Sequence, residues 1–385
     1  MKILHICQYF NENMGYQENI LPLYQEKMGN EVYIVTSNRE NEFFNNDKQR
    51  IKEIGTTNYK GITLIRKDIY FENKNKFVIF KNLYRLIEKI RPDYIFHHGL
   101  TSPSMFTIIK YKKNNSNVML VCDLHAMYEN TMRSNKSYFY HKVFWRNILQ
   151  NKIKFINKIF CVCPESIDFA KDVYNIPENI LMLLPLGGDI LNLNNYNNIR
   201  DKYRNKLGIK KGDLLIIHAG KMAPRKKTEV LLNSFKFIDE RRIKLILIGD
   251  IDKIYYKTLS KYINNDKRIT YIGWKNPENL SKYFCAGDIL IQPGTASAIF
   301  EEAICNGLPI ILDKTKIGDY LVSRKNGVVL PKINEKEISE AINYLNKNRG
   351  ILKKMHKNAI IFAQTELSYK EIAKKSLSFI GDINY

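Results

Sequence analysis

The sequence predicts an α/β protein built as two Rossmann-like lobes whose parallel sheets face a central cleft. Three observations carry this expectation. Short apolar runs alternate with helix-like segments along nearly the whole chain, the signature of parallel sheets covered by helices. That alternation occurs twice, on either side of an Asn- and Gly-rich stretch at 185–208 that has little pattern of its own. The chain is also 385 residues long, more than one ordinary core organises. The expected divisions are 1–190 for the first lobe, 191–365 for the second, and 366–385 for a C-terminal helix that packs back on the first.

Each element has its own signal. In the first lobe, strands are expected at 2–9, 31–37, 62–67, 93–99, 118–125 and 158–164, where β-branched and aromatic residues cluster between turn formers. Helices are expected at 16–29, closed by Gly29, and at 76–92, stopped by Pro92. In the second lobe the strands fall at 213–220, 243–250, 269–274, 288–294 and 308–313. The helices fall at 228–238, 255–264 and 297–307, and the tail over 335–380 reads as helical. In sheets of this kind ligands bind outside the carboxyl ends of the strands, so the residues just after each strand are the candidates for chemistry.

Composition narrows the classes. An apolar fraction of 44% with 12% aromatics suffices for real cores and argues against disorder. No run approaches the ~20 apolar residues of a membrane span, and the opening "MKILHICQYF" reads as a first strand rather than a leader peptide. The six cysteines are scattered and complete no metal site, so buried free thiols in a cytoplasmic protein are expected. The formal charge of +22 is uneven: +7 over 1–190 and +15 over 191–385. A basic protein meets anions, whether nucleic acid, anionic lipid or phosphorylated small molecules. No nucleic-acid module signature is present.

Two stretches of the second lobe point to a phosphate ligand. In "DILIQPGTASAIFEEAICNG" a strand runs into the small loop Gly294-Thr295-Ala296-Ser297 and then a helix. Small residues let phosphates approach backbone N–H groups, and a carboxylate such as Glu302 can grip sugar hydroxyls. The competing reading is a helix capped by Ser297 with two solvated glutamates. In "HAGKMAPRKKTEVLL" four cations, Lys221, Arg225, Lys226 and Lys227, gather after another strand, a grouping that suits a diphosphate; the competing reading is a solvated basic loop. Walker A spacing is absent. Elsewhere, "RSNKSYFYHKVFWRNILQNKIKFINK" (133–158) holds seven Lys/Arg, no acidic residue and interleaved aromatics. It reads either as a segment lying on an anionic membrane or as a lobe helix with a solvated basic face.

In order along the chain, these motifs resemble family 4 glycosyltransferases of the GT-B fold. "MKILHICQYFNENMGYQENILPLYQEKMGNEVYIVTS" is similar to that family's first strand, glycine loop and "GHEV" strand. "KIFCVCPESIDFAKDVYNIPENILMLLPLGGD" is similar to its approach to the linker, "AGKMAPRKKTEVLLNSF" to "GRL-x3-KG-x3-LL-x-AF", and "EEAICNGLPII" to "LEAMACGLPVI". The resemblance implies transfer of a sugar, with retention at the anomeric carbon, from a nucleotide-diphosphate sugar to an acceptor hydroxyl. UDP-sugar is the donor expected from family frequency. It implies that Lys221 and Lys226 hold the diphosphate, with Lys227 in place of a usual Gly. Glu302 holds the ribose, and Ile272 and Trp274 flank the base. Gly15 lets the donor phosphates approach. His125, in "VCDLHAM", lies near the reacting sugar, and His97 and His98 end a strand lining the same cleft. The first Glu of the family's Glu-x7-Glu pair falls at 294, which is Gly here.

The implied partners are the nucleotide sugar, a saccharide or lipid-linked saccharide acceptor, and an anionic membrane surface reached through 133–158; nucleic acid is not expected. No cofactor or metal is expected, because cations take the metal's role at the leaving diphosphate. The implied setting is surface polysaccharide or glycoconjugate assembly, in the cytoplasm and peripheral on the inner face of the plasma membrane. A second function class stays open: a nucleotide-sugar-binding protein that has lost catalysis, motivated by Gly294.

Overall fold

The computed structural model describes residues 1–12, 14–41, 50–74, 76–190 and 193–380 in full and the backbone of 381–383. The chain divides into two compact units, Met1–Pro185 with Ile372–Tyr385, and Leu186–Glu371.

The first unit carries strands β1 (Lys2–Ile6), β2 (Glu31–Ser37), β3 (Gly55–Tyr59), β4 (Ile62–Lys67), β5 (Ile69–Asn73), β6 (Phe77–Phe80), β7 (Tyr94–His97), β8 (Met119–Leu124), β9 (Lys158–Cys161) and β10 (Leu181–Leu183). Eight of them form one sheet in the order β10-β9-β8-β7-β1-β2-β4-β3, and β5 pairs with β6 in a separate hairpin. All neighbours in the large sheet are parallel except the edge strand β3, antiparallel to β4. Strands buried on both faces read as continuous apolar runs, and β1 shows why. Ile3 packs with Ile34, Phe96 and Phe160 on one face, while Leu4 and Ile6 pack with Val35, Ile95 and Leu120 on the other. The first face is covered in part by the C-terminal segment, where Ile372, Ala373 and Phe379 join the core and the Tyr94 hydroxyl donates to the Ser376 carbonyl at 2.8 Å.

One local expectation fails in this unit, and strand β3 was not expected. The helix expected over 76–92 is a strand, β6, followed by a helix at Leu83–Ile90. The apolar run "FVIF" pairs with β5, and Asn82 breaks the chain with φ 52° before the helix starts. Strand β3, "GTTNY", has only Tyr59 buried, so it lacks the apolar signal of its neighbours.

The second unit carries β11 (Leu214–Ala219), β12 (Ile243–Ile248), β13 (Ile269–Tyr271), β14 (Ile289–Ile291), β15 (Ile310–Asp313) and β16 (Gly327–Leu330). They form a fully parallel sheet in the order β13-β12-β11-β14-β15-β16. The strand order reverses between β11 and β14, where Ile216 pairs with Ile289 and Ile217 with Leu290. In the first unit it reverses between β1 and β7. Such reversal points open a crevice at the carboxyl edge.

All six cysteines are buried and unbridged. Among the described residues no helix is long and apolar enough to cross a membrane, and no group of three His, Cys, Asp or Glu is placed to hold a metal.

Candidate active site

The carboxyl edge of the second sheet is assembled largely from backbone. After β11 the chain turns at Gly220 (φ 106°), and after β12 at Gly249 (φ 147°). A Cβ on Gly249 would lie 1.9 Å from the Gly220 carbonyl oxygen, so the two turns touch only because Gly249 has no side chain. Gly249 N–H in turn donates to the Gly273 carbonyl at 3.1 Å. The segment 272–274 thus joins the same edge, with Trp274 exposed and Ile272 half-buried. The strand expected over 269–274 stops at Tyr271, because the Lys275 ammonium takes the carbonyls of Ile272 and Trp274 in a tight turn.

The loop after β14 closes the edge. Gly294 adopts φ 84°, and a Cβ there would lie 2.3 Å from the Arg225 carbonyl oxygen and 3.0 Å from Lys226 Cα. Its N–H donates to Asp313 at the end of β15, at 3.2 and 3.4 Å to the two carboxylate oxygens. Thr295 N–H donates to the Arg225 carbonyl at 3.3 Å. Lys226 completes the clamp: it is only 7% exposed, and its ammonium donates to the carbonyls of Thr295 and Ala296 at 2.6 and 2.9 Å. The basic loop is therefore not merely solvated at this position. His218, fully buried in β11, braces the loop's base through the Ile291 carbonyl and the Thr228 hydroxyl, and burial pulls its pKa down to about 4. Among the described residues no acceptor takes the N–H of Ala296 or Ser297. Ser297 lies opposite Gly220, with Oγ 4.0 Å from where a Cβ would sit.

The helix expected over 297–307 is shorter. It spans Ile299–Cys305 with Ala298, not Ser297, at its N-cap. Gly294, Thr295 and Ala296 stand outside the helix, held by the Asp313 carboxylate, the Arg225 carbonyl and the Lys226 ammonium. The glutamates are not solvated either. Glu301 is 2% exposed, its Oε2 lacks a hydrogen-bond partner among the described residues, and burial raises its pKa to about 7. Glu302 is half-buried and is raised to about 7 by burial, with the charge of Asp189 adding. The Asp189 segment reaches Glu302 because Gly188 has no side chain: a Cβ there would come within 3.2 Å of Glu302 Cα. Lys221 is exposed on the loop after Gly220.

The edge of the first sheet is different. Here side chains meet after β1, β7 and β8. His125 keeps 48% of its side chain exposed, with Nε2 3.5 Å from Asp123 Oδ2. Partial burial opposes its charging, but the Asp123 carboxylate and the nearby Glu18 more than offset this and raise its pKa. Asp123, fully buried, stays ionised well below the usual carboxylate range despite its burial, because His98 and His125 flank it. His98 Nδ1 lies 2.7 Å from Asp123 Oδ2, and Gly99 N–H donates to Oδ1 at 2.6 Å. His97 does not line this edge: it is fully buried against the hydroxyls of Ser102 and Ser104 at 3.1 and 2.8 Å. Adjacent strand residues point to opposite faces, so only one of the pair could serve. Gly15 is exposed in the loop between β1 and the helix Gln17–Glu26. Sequence reasoning missed Asp123, Glu18 and His5; an acidic residue two positions before His125 in a strand was the available signal.

A family model described as "Glycosyltransferase Family 4" matches residues 23–190, and one described as "Glycosyl transferases group 1" matches 199–362. The chain belongs to the family 4 glycosyltransferases. Like others it resembles, this glycosyltransferase has the GT-B fold. It is 24% identical over 381 residues to the alpha-monoglucosyldiacylglycerol synthase of Acholeplasma laidlawii, covering 91% of this chain and 88% of that protein. It superposes with a TM-score of 0.70 and 17% identity on Alr3699/HepE of Anabaena, solved in complex with UDP and glucose, over the full length of both. The sucrose-phosphate synthase of Thermosynechococcus elongatus matches at TM-score 0.70 and 15% identity over 100% of this chain and 99% of that one.

Proposed function

We propose that this glycosyltransferase moves a hexosyl group from a UDP-sugar to an acceptor hydroxyl, with retention at the anomeric carbon. The observation that carries the reading is the loop Gly294–Ser297 held by Lys226 opposite Gly220. Two unpaired N–H groups beside a buried ammonium suit the diphosphate of a leaving nucleotide, since fixed donors cost no reorganisation as charge develops. Lys221 supplies a second, mobile charge. Glu302 takes the ribose, and Ile272 and Trp274 border the base; Gly15 is the first-unit residue given to the donor phosphates. His125, with Asp123 behind it, donates to the reacting sugar. No metal is needed in this scheme, so a chelator leaves the rate unchanged. UDP is supported by the neighbours solved with it.

The segment 133–158 supports the reading of the acceptor class. Trp145, Leu149 and Ile156 are buried in the first unit's core, as a lobe helix requires. Yet Tyr138, Phe139, Tyr140, Val143 and Phe144 stay exposed among its basic residues. That combination suits a peripheral contact with anionic lipid and a lipid-linked or saccharide acceptor. The lipid named in the Acholeplasma relative, and a relative described only as an uncharacterized protein in the cps region of Klebsiella pneumoniae, 23% identical over 184 residues, are in keeping with glycoconjugate or surface polysaccharide assembly.

The test is a panel of nucleotide sugars with pooled lipid and saccharide acceptors, followed by product mass. Transfer from UDP-hexose without added metal is expected. Tight UDP binding with neither transfer nor hydrolysis across the panel would instead favour a binding protein, the reading that Gly294 motivates.

A further inference from the structure

A chain of polar contacts, hydrogen-bonded from Asp123 onward, runs from the exposed His125 to the C-terminal helix Tyr369–Leu377. His125 Nε2 faces Asp123 Oδ2 at 3.5 Å, and the same oxygen lies 2.7 Å from His98 Nδ1. His98 Nε2 lies 3.0 Å from His5 Nδ1, and His5 Nε2 lies 2.6 Å from Gln25 Oε1. Gln25 Nε2 donates to Ser376 Oγ at 2.9 Å, and Ser376 Oγ donates to the Ala373 carbonyl at 2.7 Å.

The direction of each bond follows from the buried end. Ser376 has one hydroxyl proton and gives it to Ala373, so its oxygen accepts from the Gln25 amide nitrogen. That orientation turns Gln25 Oε1 toward His5, which must donate from Nε2. His5 is fully buried among apolar rings, stacked on Phe96 at 5.3 Å, and burial together with the neighbouring His98 holds it neutral, its pKa down to about 3. A neutral imidazole has one ring proton, so His5 Nδ1 can only accept. His98 must therefore donate from Nε2 to His5 and from Nδ1 to the Asp123 carboxylate.

We propose that the buried relay from Ser376 locks His98 as an imidazolium paired with Asp123, and that this pair is the positioning device that orients His125. Asp123 Oδ2 is shared between the two rings, so the pair fixes which nitrogen of His125 faces inward and leaves Nδ1 for substrate. Glu18, from the helix Gln17–Glu26, faces the same rings. His97 and the thiols of Cys7, Cys122 and Cys161 complete the titratable surroundings of Asp123. None of these is a cation able to take the place of His98. The second half of the proposal rests on the reading of His125 as the group at the reacting sugar; the first half does not.

The experiment is nitrogen-15 NMR of the full chain with labelled histidine, read at about pH 8.5, where an ordinary imidazole is neutral. A ring with both nitrogens protonated is expected, assigned to His98 by its loss in His98→Gln. Gln25→Met, which frees His5 to donate toward His98, is expected to abolish that signature with the thermal transition retained. A neutral His98 in the unaltered chain overturns the relay, and an imidazolium that survives Gln25→Met overturns the part given to Gln25 and Ser376. For the second half, Asp123→Asn is expected to move the alkaline limb of kcat/KM to lower pH with the donor KM unchanged. An unmoved limb, or transfer that survives His125→Ala while the NMR signature stands, overturns the orienting role alone.

Discussion

The two sheets end in opposite materials. At the strand-order reversal of the second unit the crevice is lined by backbone: Gly249 and Gly294 press on the main chain of Gly220 and Arg225 where no side chain fits, and the buried ammonium of Lys226 is spent on two carbonyls. At the corresponding reversal in the first unit the edge is lined by ionisable side chains: His5, His98 and Asp123 are hydrogen-bonded in series, and His125 lies 3.5 Å from Asp123. Backbone N–H groups suit a diphosphate, which is the same whatever sugar it carries. Titratable side chains suit the part of the reaction where a proton or a hydroxyl must be managed. Rigid backbone donors thus lie at one edge and titratable side chains at the other, and each can be broken separately.

The largest effect is expected at Lys226. Lys226→Ala removes a donor to the loop and a charge from the leaving group, so kcat/KM should fall on the order of a thousandfold. Two carbonyls lose their ammonium, and stability should drop by about 1–3 kcal/mol, read from a denaturant midpoint. His125→Ala should cost about a hundredfold in kcat with donor KM and thermal transition unchanged. If Lys226→Ala and His125→Ala produced the same pattern, the division of labour between the units would be wrong.

Protonation should also matter in the second unit, but for stability rather than turnover. Glu301 has a folded pKa raised to about 7, above its ordinary carboxylate value, by burial. A raised carboxylate contributes stability that is complete below its unfolded pKa and is lost as pH rises through the folded one. The melting temperature should therefore fall between about pH 5 and pH 8, and Glu301→Gln should flatten that slope by on the order of a few kcal/mol. A slope unchanged by Glu301→Gln would place the titrating group elsewhere, with Glu302 the next candidate.

Gly294→Ala should cost about 1–3 kcal/mol, because φ 84° and a 2.3 Å approach to the Arg225 oxygen both exclude a Cβ. The same geometry explains why this chain has no glutamate at that position: the loop that Lys226 clamps has no room for one. The smallest stability effect belongs to the exposed rings. Phe139→Ser with Phe144→Ser should change stability by less than about 0.5 kcal/mol, while vesicle flotation with anionic lipid should weaken several-fold if these rings meet a bilayer.

Much of this was legible in the residues, for a physical reason. Strands buried on both faces announce themselves as apolar runs, so β1, β2, β11 and β12 could be read directly, whereas β3, with one buried residue of five, could not. The hairpin β5–β6 was hidden because "FVIF" runs without polar alternation into a helix of strong amphipathic character. In the second unit the small loop and the cations were visible, since glycine and lysine at strand ends have few other uses. What stayed hidden was contact between distant positions. That Lys226 reaches Thr295 and Ala296, or that Gln25 bridges His5 and Ser376, depends on how strands are ordered in the sheet, and no local pattern encodes it.

The central claim is that the backbone-lined edge of the second unit, clamped by Lys226, holds the nucleotide diphosphate. Calorimetric titration of UDP into the unaltered chain, Lys226→Ala and His125→Ala tests it directly. The account predicts that Lys226→Ala weakens UDP at least about tenfold, some 1.4 kcal/mol, while His125→Ala leaves it unchanged. Undiminished UDP affinity in a folded Lys226→Ala chain would contradict it.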